Sequence, residues 1–133
     1  MTAHTTPPSP RESVEAFWRT ANARQWPAFA ALLHPQLLYL VPQTRERGEG
    51  AAALVDIFRT WPGDWVAQVQ TLIADDTRAV TTVRFVVGGE VGADVETGIS
   101  FFEFEGGLIR SVTDYWPSTY EPPPRASPHL RRD

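Results

Sequence analysis

Asp114 is the side chain whose type and setting most plainly allow chemistry. It stands in the stretch from Gly107 to Pro117, where period-2 spacing puts Leu108, Arg110, Val112, Asp114 and Trp116 on one face of a strand. Ile109, Ser111, Thr113 and Tyr115 fall on the other. A carboxylate turned inward among β-branched and aromatic neighbours has to find hydrogen bonds, water or a cation, and such settings shift its proton affinity. An aspartate at a sheet edge, merely solvated, satisfies the same spacing.

Absent residue types narrow the alternatives. Without Cys the chain has no thiolate nucleophile and no thiolate metal site. All 12 basic residues are Arg, so no lysine can form a Schiff base. Of the 3 histidines, His4 and His129 lie in presumptive tails, which leaves His34 alone for any triad and makes a metal site unexpected. No Gly-x-Gly-x-x-Gly follows a strand, and no nucleotide or flavin cofactor is expected. A net charge of −4 and a pI near 5.3 argue against nucleic acid or an anionic membrane as partner. No apolar run approaches the roughly 18 residues of a membrane helix, and a signal-peptide pattern is missing from the first residues. A cytoplasmic location is the resulting expectation.

With 133 residues, 42% of them hydrophobic, the chain is expected to form one domain with its own core. Residues 1–10 read as a proline-bearing lead-in, residues 11–120 as the domain, and residues 121–133 as a proline-rich tail. Val14, Phe17, Trp18 and Ala21 predict a helix from Arg11 to Ala23, capped by Ser9 or Ser13. Trp26-Pro27 opens a second helix that is expected to run to His34-Pro35. Leu37 to Val41 is a short strand, Gln43 to Glu49 a charged loop, and Ala51 to about Thr60 a third helix. The period then becomes alternating, with strands at Trp65–Ala74, Arg78–Val87 and Val95–Phe104, separated by Asp75-Asp76 and by the Gly88–Gly92 turn. Helices followed by long adjacent strands predict an α+β fold. Phe101 and Phe102 point to opposite faces, so both faces of the sheet carry apolar groups and the second needs a cover, for which a dimer partner is the simplest candidate.

Leu33-His34-Pro35, Tyr39 to Pro42 leading to Gly50, Phe102-Glu103-Phe104, and Thr113-Asp114-Tyr115-Trp116 resemble the nuclear transport factor 2-like superfamily. That superfamily includes SnoaL-like polyketide cyclases, ketosteroid isomerases and limonene-epoxide hydrolases. The resemblance covers about Arg11 to Tyr120. It implies a cone in which three N-terminal helices pack on a strongly curved, mainly antiparallel sheet, with a pocket between them and commonly a homodimer through the sheets. It also allows the family's chemistry to be checked position by position. Where the isomerases carry a general-base aspartate and an oxyanion-binding tyrosine, this chain has Val41 and Phe17, neither able to transfer a proton. Where the epoxide hydrolases carry Arg-x-Asp and Asp-Tyr, it has Arg84-Phe85-Val86 and Asp114-Tyr115, while Leu38 and Leu40 replace the water-positioning pair. One carboxylate cannot be acid and base in the same step, so that hydrolysis is not expected.

The remaining candidates are an Arg84–Asp114 pair facing one cavity, Ser100 beside it, and a wall of Trp18, Tyr39, Phe58 and Phe102 with Trp116 at the mouth. A structural ion pair, and aromatic rings serving as plain core, fit the same pattern. Glu96 is expected to be exposed, His34 to bond backbone near the first strand, and Arg45-Glu46-Arg47 to form a solvated loop or a rim. The expected function is binding of a small, mostly hydrophobic, oxygen-bearing molecule. Acid–base catalysis by Asp114 with Arg84, and a non-catalytic interaction module using the sheet face, are the alternatives. An empty pocket of several hundred Å3 favours the ligand, whereas one with room for a few waters argues against it.

Overall fold

Ser9, Pro10 and Glu12 together start the first helix. In the computed structural model, which describes residues 6–89 and 94–133, the Ser9 hydroxyl accepts the Glu12 N–H at 3.2 Å while the Glu12 carboxylate accepts the Ser9 N–H at 3.0 Å. Helix α1 (Pro10–Asn22) then buries Val14, Phe17, Trp18 and Ala21 on one stripe, as their spacing predicts. Helix α2 (Trp26–Ala30) is shorter than expected. Its continuation is captured by the sheet: Leu33 begins β1 (Leu33–Val41) opposite Ile109, and the Leu32 carbonyl accepts the Ile109 N–H at 2.9 Å. Pro35, which has no N–H to give, falls where the register of that pairing breaks.

The segment expected to be a charged loop contains a second strand. β2 (Glu46–Glu49) pairs antiparallel with β1, and Gly48 opposite Tyr39 makes this possible, because a Cβ there would come within 3.0 Å of Ile57. Helix α3 (Ala51–Arg59) follows, burying Leu54 and Phe58. Strands β3 (Trp65–Ala74), β4 (Arg78–Val87), β5 (Asp94–Glu105) and β6 (Leu108–Tyr115) lie close to their expected bounds. Glu90–Gly92 of the glycine turn, and His4 with the start of the lead-in, lie outside the described residues.

The six strands form one curved sheet in the order β2-β1-β6-β5-β4-β3, antiparallel except where β1 meets β6. The helices cover its inner face. Phe17 sits at the centre of the core, with ring centres of Phe29, Phe58 and Phe102 at 4.8, 5.5 and 5.1 Å. At 1% exposure Phe102 belongs to this core rather than to any cavity wall, which corrects its candidacy as a ligand contact.

Two details of strand phase decide where the candidate site residues go. Between β5 and β6 the register slips, with Glu103 opposite Ser111 and Phe104 opposite Ile109, so Arg110 is bulged out. The bulge moves Ile109 onto the inner face with Val112 and Asp114, contrary to uniform alternation. In β4 the inner residues are Ala79, Thr81, Val83 and Phe85, which places Arg84 on the outer face, exposed, opposite Gln68 and Thr97. Strand parity thus separates Arg84 from Asp114, and the expected pair does not form. The outer face does carry apolar groups as expected: Ile73 is 62% exposed and Phe101 48%, the latter edge-on to Tyr115 at 5.8 Å.

Candidate functional site

Asp114 is 3% exposed and occupies the middle of the β1–β6–β5 segment of the sheet. Its neighbours come from both flanking strands. Ser100, directly opposite on β5, donates from Oγ to Asp114 Oδ1 at 2.6 Å. Tyr39 on β1 donates from Oη to Asp114 Oδ2, also at 2.6 Å. Both lengths fall in the range for hydroxyls donating to a carboxylate. No arginine lies within ion-pairing distance of Asp114 among the described residues.

Burial dominates the proton affinity that results. It raises the Asp114 pKa from its ordinary 3.8 to about 6, against the pull of the two hydroxyls toward the ionised form. Tyr39 is pushed far above its usual range, first by burial and then by the Asp114 charge, and stays a hydrogen-bond donor. A carboxyl that titrates near neutrality is suited to taking and returning a proton.

Asp114 is the one charged residue lining a cavity of about 30 Å3, whose other walls are Trp18, Tyr39, Phe58, Trp61, Trp65, Phe85 and Trp116. That volume holds about two water molecules, well short of the several hundred Å3 expected for a ligand. Tyr39, Trp61 and Trp116 also border an outer space of about 150 Å3, rimmed by Thr44, Glu46 and Arg47. The two spaces are therefore neighbours across the same three rings.

Of the expected wall, the structure brings Trp18, Tyr39, Phe58 and Trp116 to the cavity, with Trp18 fixed by an Nε1 hydrogen bond to Thr81 at 3.1 Å. Ser100 acts on Asp114 from the side rather than lining the space. Glu96 is exposed. His34 lies elsewhere, its Nδ1 accepting the Gln36 N–H at 3.0 Å and its Nε2 2.8 Å from Glu105. Arg47 and Glu46 take the rim position that the loop reading allowed. Trp61, Trp65 and Phe85 were missed as lining residues although each had a signal: Trp61 falls on the apolar side of the third helix with Phe58, and the inward parity of Trp65 and Phe85 follows from the alternation at the start of β3 and along β4. Among the described residues no cluster of His, Asp and Glu has the makings of a metal site.

Residues 14–112 match the SnoaL-like domain family. A ketosteroid isomerase-like protein from Kribbella flavida is 38% identical, with 92% of this chain and 87% of that one aligned and a TM-score of 0.81. An LEH-like epoxide hydrolase from M. tuberculosis is 21% identical over 80% of this chain and 81% of its own, with a TM-score of 0.67. A protein with a cystatin-like fold from Methylobium petroleophilum is 18% identical over 97% and 86%, at 0.75. These last two show likeness of fold. No curated protein matches the chain.

The raised pKa has a consequence for stability. Because the folded value of about 6 exceeds the ordinary 3.8, the contribution of Asp114 is fully present below about pH 4 and is lost as pH rises through 6. The difference amounts to on the order of 3 kcal/mol at most. Denaturant melts of the native chain and Asp114→Asn at pH 4 and pH 7 should show the native chain losing stability relative to the variant over that interval. A relative gain instead would mean that Asp114 is held ionised by a favourable partner.

Proposed function

The chain belongs to the SnoaL-like family, and from that premise we propose that it binds a small, mostly apolar, oxygen-bearing molecule at Asp114 and exchanges a proton with it. The observation that carries this reading is a buried carboxyl, held by two hydroxyls and by no cation among the described residues, in the lining of an aromatic cavity. Asp114 in its ionised form takes a proton from a carbon next to a carbonyl; the C–H pair becomes a C=C bond while the carbonyl π pair moves onto oxygen. Once protonated, Asp114 no longer draws the Tyr39 hydroxyl, which turns to the developing oxyanion. Arg84 has no part in this scheme, because it lies on the opposite face. The ligand enters by displacing Trp61, which is 43% exposed and stands between the cavity and the outer space.

The small volume of about 30 Å3 favours a second reading, in which the Tyr39–Asp114–Ser100 network only ties three strands together. The two readings separate in one experiment. With 2-tetralone in D2O, NMR should show exchange of the protons next to the carbonyl, with a rate that rises with pH to a plateau above about pH 6. Asp114→Asn should slow it by about 100-fold or more, whereas Arg84→Ala should leave it unchanged. Exchange no faster than in buffer favours the structural reading.

The proposal extends to location and assembly. Among the described residues no helix is long and apolar enough to cross a membrane, in keeping with the proposed cytoplasmic site of action. A second copy of the chain is the proposed cover for the outer face, where Ile73, Phe101 and Tyr115 are exposed. Sedimentation at micromolar concentration should give a dimer that Phe101→Glu converts to a monomer. A monomeric native chain contradicts it.

A further inference from the structure

The two edges of the sheet are finished differently. β2 is 4 residues long and carries Glu46, Arg47 and Glu49, a short charged edge of the kind that discourages pairing with another chain. β3 is its opposite. Its 10 residues, Trp-Val-Ala-Gln-Val-Gln-Thr-Leu-Ile-Ala, include no charge, no proline and no glycine, and Val66, Val69 and Ile73 are exposed on it. An uncharged edge of this length and β-propensity is a template for a further strand.

What stands against β3 is a row of side chains from α1 and the turn after it. Asn22, the last residue of α1, donates from Nδ2 to the Ala67 carbonyl at 2.8 Å and accepts the Ala67 N–H on Oδ1 at 2.9 Å. One side-chain amide thus makes the pair of bonds that a residue of a neighbouring antiparallel strand would make. Arg24 donates to the Trp65 carbonyl at 2.6 Å, and its guanidinium lies 4.0 Å from the centre of the Trp65 ring. It does so from a φ of 58°, a left-handed backbone that favours glycine, and a second bond to the Ala21 carbonyl at 3.0 Å holds the same side chain. Toward the far end of the strand Arg11 donates to the Leu72 carbonyl at 3.2 Å.

The positions of these bonds follow the ladder. Every second residue of an antiparallel strand turns its N–H and C=O away from its partner, so Trp65, Ala67 and Val69 direct theirs away from β4. Trp65 and Ala67 are occupied, whereas among the described residues no side chain bonds the Val69 backbone. Just beyond, the pairing with β4 slips between Val69 and Thr71, which interrupts the outward rungs. An approaching strand therefore finds Val69 alone between occupied positions. Without Asn22 it would find Ala67 and Val69 in succession.

We infer that Asn22, with Arg24 and Arg11, closes β3 to strand addition, and that the partner kept out is β3 of a second copy, antiparallel about a two-fold axis. Two copies of this strand bring no charges into opposition and set exposed valine and isoleucine side chains beside one another. The contact runs along the sheet edge and is separate from the outer face that carries Phe101 and Tyr115.

The test is sedimentation velocity in a Phe101→Glu background, so that the outer face does not contribute, with near-ultraviolet circular dichroism to check folding. The background chain should keep one mass as its concentration rises. Asn22→Ala should move to about twice that mass or beyond. Arg11→Ala, a change at an exposed residue in the first turn of α1, should do the same at higher concentration, and it carries the test alone if Asn22→Ala does not fold. Adding Val69→Lys, which puts a charge on the opened edge, should return either variant to the background mass. The inference is overturned if every folded variant keeps the background mass, or if the association persists with Val69→Lys in place.

Discussion

A carboxyl group buried without a cation is costly, and the middle of this sheet is built around one. Asp114 is tolerated there because β1 and β5 each bring a hydroxyl to one of its oxygens, Tyr39 at 2.6 Å and Ser100 at 2.6 Å. The two bonds favour the ionised form but do not fully offset desolvation, so the group titrates near neutrality. An arginine in the same place would hold the carboxylate ionised and lower its pKa. Parity keeps Arg84 on the outer face, so this single fact of strand phase leaves Asp114 without that ion pair.

The rest of the fold is arranged so that this carboxyl is enclosed by rings. Phe17, Phe29 and Phe102 fill the region between helices and sheet, while Phe58, Trp18 and Trp65 form the boundary between that core and the cavity. The cavity is small because aromatic rings, not aliphatic side chains, line it, and rings move as rigid plates rather than by small adjustments. Trp61, just past the end of α3 and beside Pro62-Gly63, is the most exposed of these rings, at 43%.

Much of this was legible in the sequence. Helical spacing of Val14, Phe17 and Trp18 and the alternation of Arg78 to Val87 gave elements close to those observed, and the resemblance to SnoaL-like proteins gave their arrangement. Spacing puts Asp114 on one face with Val112 but fits a solvated edge equally well; it is the structure that makes this face the inner one. What failed were matters of pairing. The second helix was overextended because the capture of Leu33 by Ile109 is a contact across most of the chain, which local propensity does not register. β2 was hidden by charge, since Glu46 to Glu49 reads as a loop until Gly48 is seen to accommodate Tyr39 and Ile57. Arg84 was matched to a family motif without counting its phase against Val83 and Phe85, which occupy the inner face instead.

Enclosure of the Asp114 carboxyl, with no cationic partner among the described residues, puts its titration near neutrality. The most direct measurement is a carbon-13 NMR titration of the chain labelled at the aspartate side-chain carboxyls, with Asp114 assigned by comparison with the Asn variant. One aspartate should titrate near pH 6. A midpoint for Asp114 at or below its ordinary 3.8 would show a carboxylate that is solvated or paired with a cation, and would contradict it.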